Sequence, residues 1–164
     1  MDTIRRMLLA QYEKSLAMLS ETIGLYDDGL WLDHTSYDSP AWQVAYHALY
    51  YTNIYCSPTE EEVSRWSKER QDLHRFARPG AQRSERTAPG AAYTKEDTLD
   101  YLSFVRATIP SYLERMEPEA RCWPSWYDEP QLEFHLNNLR HLQHHVGQLI
   151  ERRDIVDSIS YEWY

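Results

Sequence analysis

Hydrophobic residues recur at intervals of three and four along four stretches of this 164-residue chain. This spacing places apolar side chains on one face of a helix, and no stretch shows the convincing two-residue alternation of a half-buried strand. The pattern predicts four amphipathic helices, over about 3–26, 39–56, 94–116 and 130–154. Four such segments favour an all-α fold, a four-helix bundle with a long connection over 57–93 between the second and third helices.

Residues with capping or helix-breaking chemistry indicate where these helices begin and end. Ser39 followed by Pro40 predicts the start of the second helix, with serine as the N-cap and proline at the first helical position. Thr94 resembles the first residue of a capping box in which Asp97 takes the third helical place. Pro110 is expected to kink or break the third helix, because proline in a helix interior removes a backbone hydrogen bond.

The size of the chain fits one domain, 1–164. A chain of 164 residues can bury a sizeable core without disulfides or structural metals. The connection over 57–93 has weak periodicity and contains Pro-Gly pairs, although a short helix is possible over 57–70. We expect a long, partly ordered connection of this kind either to cover a site or to move.

Charge and hydropathy exclude several classes of function. The formal net charge of −9 argues against a general nucleic-acid-binding protein, because neutralising phosphates requires a basic surface. The apolar runs are interrupted by polar residues, and the first residues lack the apolar core of a signal peptide, so we expect no membrane span and a cytoplasmic protein. Cys56 and Cys122 have no metal-type spacing and are expected to be free thiols.

Candidate chemistry concentrates in the last predicted helix, where three of the seven histidines fall within 139–149. His141 and His145 are one turn apart at the edge of the apolar stripe, whereas His144 points away from it and is expected to be exposed. His47 lies in the apolar stripe of the second helix. Three such imidazoles would suit zinc, and also nickel, iron or manganese, with positions left open for water or substrate. The residues alone are equally compatible with a buried, hydrogen-bonded histidine cluster.

The remaining histidines have weaker patterns around them. His135 is expected in the core or at its rim, and His34 and His74 lie in loop or poorly patterned segments and are expected on the surface. Gly147 lies inside the last helix, where glycine costs about 1 kcal/mol relative to alanine. We expect it to mark a place where another helix passes closely.

The histidine-rich stretch resembles a known family motif. The run HLQHHVGQL over 141–149 is similar to the fourth-helix signature of the DinB and YfiT-like superfamily, in which two histidines separated by three residues are followed by x-Gly-Gln. The run AWQVAYH over 41–47 is similar to the second helix that carries the family's first ligand, and 93–102 is similar to the start of its third helix. The resemblance implies a four-helix bundle with a three-histidine site for a divalent metal. The ligands would be His47, His141 and His145.

The resemblance also implies alternatives for function. Some members of the superfamily transfer low-molecular-weight thiols or isomerise with a thiol cofactor, and many have no known activity. The leading hypothesis is a metal-dependent thiol S-transferase acting on a small molecule, with Trp42 and Tyr51 lining the entrance to the substrate pocket. The alternative is a non-enzymatic, stress-related or sensory bundle in which a metal, or a histidine cluster, holds the helices together. A homodimer is expected because family members often pair through bundle helices. A third hypothesis is a purely structural dimer that binds no metal.

Overall fold

A computed structural model describes residues 2–33, 35, 37–76 and 92–157, with side chains described up to 153. These residues form an all-α structure, as the hydrophobic pattern predicts. Its helices are α1 (Thr3–Leu25), α2 (Asp28–Leu32), α3 (Ala41–Cys56), α4 (Lys95–Arg115) and α5 (Gln131–Asp157). Among the described residues, no helix combines the length and the apolar content needed to cross a membrane. The predictions for His34 and for part of the 57–93 connection lie outside the described residues.

The four long helices pack in a closed cycle around one core. Helices α1 and α3 each pack against both α4 and α5. The predicted apolar stripes face this core, and every long helix contributes side chains with no exposed surface. These include Leu16 and Leu19 from α1, Leu49 from α3, Val105 and Leu113 from α4, and Leu142, Val146 and Leu149 from α5.

The second and third helices of the core begin differently from each other. The Ser39 N-cap prediction is wrong, because Pro40 occupies the N-cap position in extended conformation (φ −65°, ψ 160°) and no side chain caps α3. The Pro40 carbonyl accepts the first helical N–H bonds instead. The cap of α4 is confirmed, because the Thr94 hydroxyl accepts from the Asp97 N–H at 3.1 Å.

Pro110 lies inside α4, which continues past it, so of the two predicted effects, a kink or a break, the break does not occur. The helix is continuous because its apolar face is buried on both sides of the proline, at Val105 and Leu113, each fully buried. Tertiary packing of this kind outweighs the loss of one backbone hydrogen bond, since most helical stability in proteins comes from burial of the apolar face.

The segment over 57–76 forms turns that lie across α3 and α4, and the short helix that the sequence allows over 57–70 does not form. Side-chain hydrogen bonds attach this segment to the helices. The Asn53 amide donates to the Ser64 carbonyl at 2.8 Å, and the Gln43 amide donates to the Arg75 carbonyl at 2.9 Å. Its last residues are thereby held against the middle of α3, close to His47.

Candidate metal centre

Three histidine side chains from α3 and α5 converge between the two helices. The Nε2 atom of His141 lies 3.2 Å from Nε2 of His47 and 3.1 Å from Nε2 of His145. The three rings offer ligand atoms that all lie within 4.8 Å of one another. The structure therefore brings together the three histidines that the sequence singles out.

The packing of α5 fixes which of its histidines reach this point. Leu142 and Val146 are fully buried and set the rotation of the helix about its axis. One turn apart on the flank of that stripe, His141 is half-buried and His145 is 5% exposed. His144 is exposed, as its position away from the apolar stripe predicts.

Two of the rings are oriented by hydrogen bonds at their other nitrogen. Nδ1 of His47 lies 2.7 Å from the backbone carbonyl of His74, and Nδ1 of His145 lies 2.8 Å from the side-chain oxygen of Gln148. A carbonyl oxygen only accepts, so Nδ1 carries the hydrogen in both rings and Nε2 carries a lone pair. Histidines that bind metals are typically held this way by an acceptor behind the ring.

The three Nε2 atoms carry too few hydrogens for both short N···N contacts to be hydrogen bonds. His141 carries at most one hydrogen at Nε2, which it can donate to His47 or to His145 but not to both. At least one of the two short N···N contacts therefore has no hydrogen between its nitrogens, which repel each other. The Nδ1 atom of His141 is also buried and has no hydrogen-bond partner among the described residues. Hydrogen bonding within the cluster thus cannot satisfy all three rings.

Both of the short separations around His141 suit ligands of one divalent cation. Zinc binds imidazole nitrogen at roughly 2.0 to 2.1 Å, so two ligands of a tetrahedral site lie about 3.3 to 3.4 Å apart, and two ligands at a right angle about 2.8 to 3.0 Å apart. The observed separations of 3.2 and 3.1 Å fall between these values. A cation at the centre would also remove the repulsion between the nitrogens.

The protonation of the cluster favours metal binding at neutral pH. Burial, together with a smaller effect of the neighbouring histidines, lowers the pKa of His47, His141 and His145 to about 4 in each case. The rings are therefore neutral near pH 7, which is the form that coordinates a metal.

Aromatic rings surround the histidines. Phe76 stacks on His47 with 4.0 Å between ring centroids, and Tyr51 lies 4.7 Å from the same ring and 5.6 Å from His141. The structure thus places Tyr51 beside the cluster. Trp42 is 2% exposed and packs edge-on against Tyr93 in the core, so it is not placed with the histidines.

Two sequence predictions near the site are wrong. His74 is 9% exposed rather than on the surface, because its ring stacks on Tyr50 with 3.8 Å between centroids while its carbonyl supports His47. Gly147 does not mark a close approach between the described helices. It is exposed, and a β-carbon built on it would meet no atom of the described residues within 4 Å.

Two residues that position the cluster were not predicted from the sequence. Gln148 is three residues after His145, a spacing that puts both on one helix face and is sufficient to propose the contact. Phe76 belongs to a segment without periodicity, and no sequence signal places it against His47.

Two other expectations about polar side chains are confirmed. His135 is a core residue, 4% exposed, and its Nδ1 lies 3.0 Å from the Tyr12 hydroxyl. Cys56 and Cys122 are both free and buried.

No protein-family model, curated protein or solved structure matches this chain. The geometry of the histidine cluster is therefore the structural basis for assigning a function.

Proposed function

We propose that this chain is a divalent-metal-binding protein of the DinB and YfiT-like kind, with the metal held by His47, His141 and His145. The observation that carries the proposal is the convergence of three neutral imidazoles that cannot satisfy one another by hydrogen bonds. The closed cycle of α1, α4, α3 and α5 supports a four-helix bundle, with the long connection over 57–93 joining α3 to α4. Bundle interiors are common places for metal sites built from facing helices.

The proposed activity is transfer of a low-molecular-weight thiol to a small molecule. A divalent metal with three imidazole ligands would supply a Lewis acid that favours the deprotonated form of a thiol or water. The chain's own residues keep the three rings neutral and orient those of His47 and His145, and the Phe76 and Tyr51 rings pack beside the cluster. The thiol itself is proposed from the family resemblance of the 141–149 motif.

Metal analysis of a pair of variants tests the ligand set. Protein purified without a histidine tag is expected to hold close to one equivalent of zinc, nickel, iron or manganese after dialysis against trace metal. His141→Ala is expected to lose this metal, because two imidazoles remain where three are needed. His144→Ala is the matched control, since it removes an exposed imidazole from the same turn and should retain the metal. Full metal content in His141→Ala would rule out the assignment.

A structural role for the metal is the second candidate, favoured by the position of the ligands on two different helices. A metal bound there joins α3 to α5 and would stabilise the fold without any reaction. In that case a screen of thiols and electrophilic acceptors with the metal-loaded protein should show no turnover, whereas chelation should still lower the melting temperature. Metal-dependent turnover that His141→Ala abolishes would instead establish the enzyme.

A further inference from the structure

A concave site lies at the segment that supports His47. It is a cleft of about 540 Å³ lined by residues within 65–75 together with Tyr50 of α3. Small-molecule sites typically enclose about 300 to 1,000 Å³. None of the three clustered histidines lines this cleft, so it is separate from the candidate metal centre.

The lining of the cleft has an excess of positive charge in an acidic protein. It contains three arginines and two carboxylates, in a chain whose formal net charge is −9. Arg65 pairs with Glu69 at 2.9 Å, and Arg75 pairs with Asp72 at 3.2 Å. The third arginine, Arg70, has no carboxylate partner in the described part of the chain.

The position of Arg70 leaves its hydrogen-bonding edge available. Its guanidinium carbon lies 3.9 Å from the centroid of the Tyr93 ring. The ring face holds the cation by its π electrons, whereas the N–H groups of a guanidinium point outward in its own plane. Such a planar fork matches a carboxylate, which accepts two parallel hydrogen bonds.

Flat aromatic surface lies in the same cleft. Tyr50 and His74 stack with 3.8 Å between centroids and an interplanar angle of 7°, and Trp66 contributes a further ring to the lining. Rings that are already packed against each other lose little conformational freedom when a ligand binds. Among the described residues, the cleft thus combines a guanidinium that has no carboxylate partner with aromatic rings that packing holds in place.

We propose that this cleft binds a small organic carboxylate with a planar apolar group, in which Arg70 holds the carboxylate and the rings contact the planar part. The site does not depend on the proposed metal. It shares one residue with the metal centre's surroundings, because the ring of His74 lines the cleft and the carbonyl of His74 accepts from His47.

Calorimetric titration with benzoate and with inorganic phosphate tests the proposal. The experiment uses the chelator-treated His141→Ala protein as well as the wild type, because a carboxylate could otherwise bind a metal. Benzoate is expected to bind both proteins with equal affinity, and more tightly than phosphate. Arg70→Gln is expected to weaken the binding at least tenfold, and Arg70→Lys, which keeps the charge but not the planar fork, is expected to weaken it by a smaller factor.

Arg6→Gln is the matched control, because Arg6 is an exposed α1 residue outside the cleft and the charge change is the same. Circular dichroism and thermal melting establish that each variant is folded. Absence of benzoate binding, equal affinity in Arg70→Gln and wild type, or an equal loss in Arg6→Gln would each overturn the proposal. Tighter binding of phosphate than of benzoate would overturn the assignment to a planar carboxylate, and loss of binding in His141→Ala would place the carboxylate at the metal instead.

Discussion

Gln148 holds the His145 ring through one hydrogen bond of 2.8 Å to Nδ1. Acceptors of this kind behind a metal-binding histidine typically contribute a factor of about 10 to 100 in metal affinity. We therefore expect Gln148→Ala to weaken metal binding by that factor while leaving the stoichiometry unchanged. Competition with a chromogenic chelator measures the affinity. Gln148→Glu keeps an acceptor at the same place and should retain the wild-type affinity, whereas unchanged affinity in Gln148→Ala would show that the bond does not position the ring.

His135 makes the metal-free protein sensitive to acid. Burial lowers the pKa of His135 to about 4, below its ordinary value of 6.5, so the unfolded chain binds a proton at a higher pH than the folded one. The contribution of His135 to the free energy of unfolding is therefore fully present above about pH 6.5 and is lost as the pH falls towards 4. His135→Gln should therefore reduce the slope of unfolding free energy against pH in this window.

Urea unfolding of chelator-treated protein at a series of pH values measures this slope. His47, His141 and His145 contribute slopes of the same sign, since burial lowers the pKa of each to about 4, so part of the dependence should persist in His135→Gln. His144→Gln serves as the control for removing an exposed histidine. A slope identical to wild type in His135→Gln would contradict the prediction.

The pairing of His141 with His145 could be predicted from sequence because helical geometry relates two residues of one helix, whereas His47 lies on another helix and is predicted from its place in an apolar stripe and from the family resemblance. A spacing of four residues puts His141 and His145 on one flank, and the apolar stripe excludes His144. The supporting residues His74 and Phe76 lie in a segment whose path depends on tertiary contacts such as the Gln43 hydrogen bond to Arg75. The hydrophobic periodicity of a sequence carries no information about such contacts, so the positions of His74 and Phe76 could not be predicted.

Gly147 weakens α5 without an evident packing benefit. It lies in the interior of the helix and is exposed, and none of the described residues occupies the space where a β-carbon would lie. Alanine is more favourable than glycine at such a position by roughly 0.5 to 1 kcal/mol. We expect Gly147→Ala to raise the free energy of unfolding by this amount, as measured by urea denaturation, with unchanged metal content.

Gly24→Ala offers a comparison for this change. Gly24 is also exposed with free space around it, but it lies one residue from the end of α1, where helices fray, so its gain should be smaller. A loss of stability in Gly147→Ala would indicate that something packs on this face of α5 in solution.

Sequence patterns predicted helices well where burial and local chemistry agree. The Thr94 cap of α4 and the apolar stripe of α5 are examples, because both depend on residues three or four positions apart. Pro110 shows a different case, in which local chemistry predicts a kink or a break and α4 continues through the proline, with buried residues on both sides of it. Between residues 57 and 76, hydrogen bonds attach the chain to α3 and α4, and the short helix that the sequence allows does not form.

At the scale of the whole molecule, a metal bound by His47 and the α5 pair would join two neighbouring helices of the core. Because a ligand that binds only the folded state stabilises it, the melting temperature should rise with free metal concentration. The gain is about 4 kcal/mol when the metal concentration is 1,000 times its dissociation constant. For a chain of this size each kcal/mol raises the melting temperature by roughly 2 to 4 °C, which predicts a shift of about 8 to 16 °C.

The variant His47→Ala tests whether the metal connects α3 to α5 or is bound by α5 alone. In this variant the two remaining ligands lie on one helix, so the metal binds more weakly and no longer connects α3 to α5. The metal-dependent shift in melting temperature should then largely disappear, whereas His144→Ala should keep it in full. Thermal melting across a series of buffered zinc concentrations distinguishes these outcomes. A full shift in His47→Ala would mean that the stabilising metal does not use α3, and the three-histidine centre would have to be abandoned.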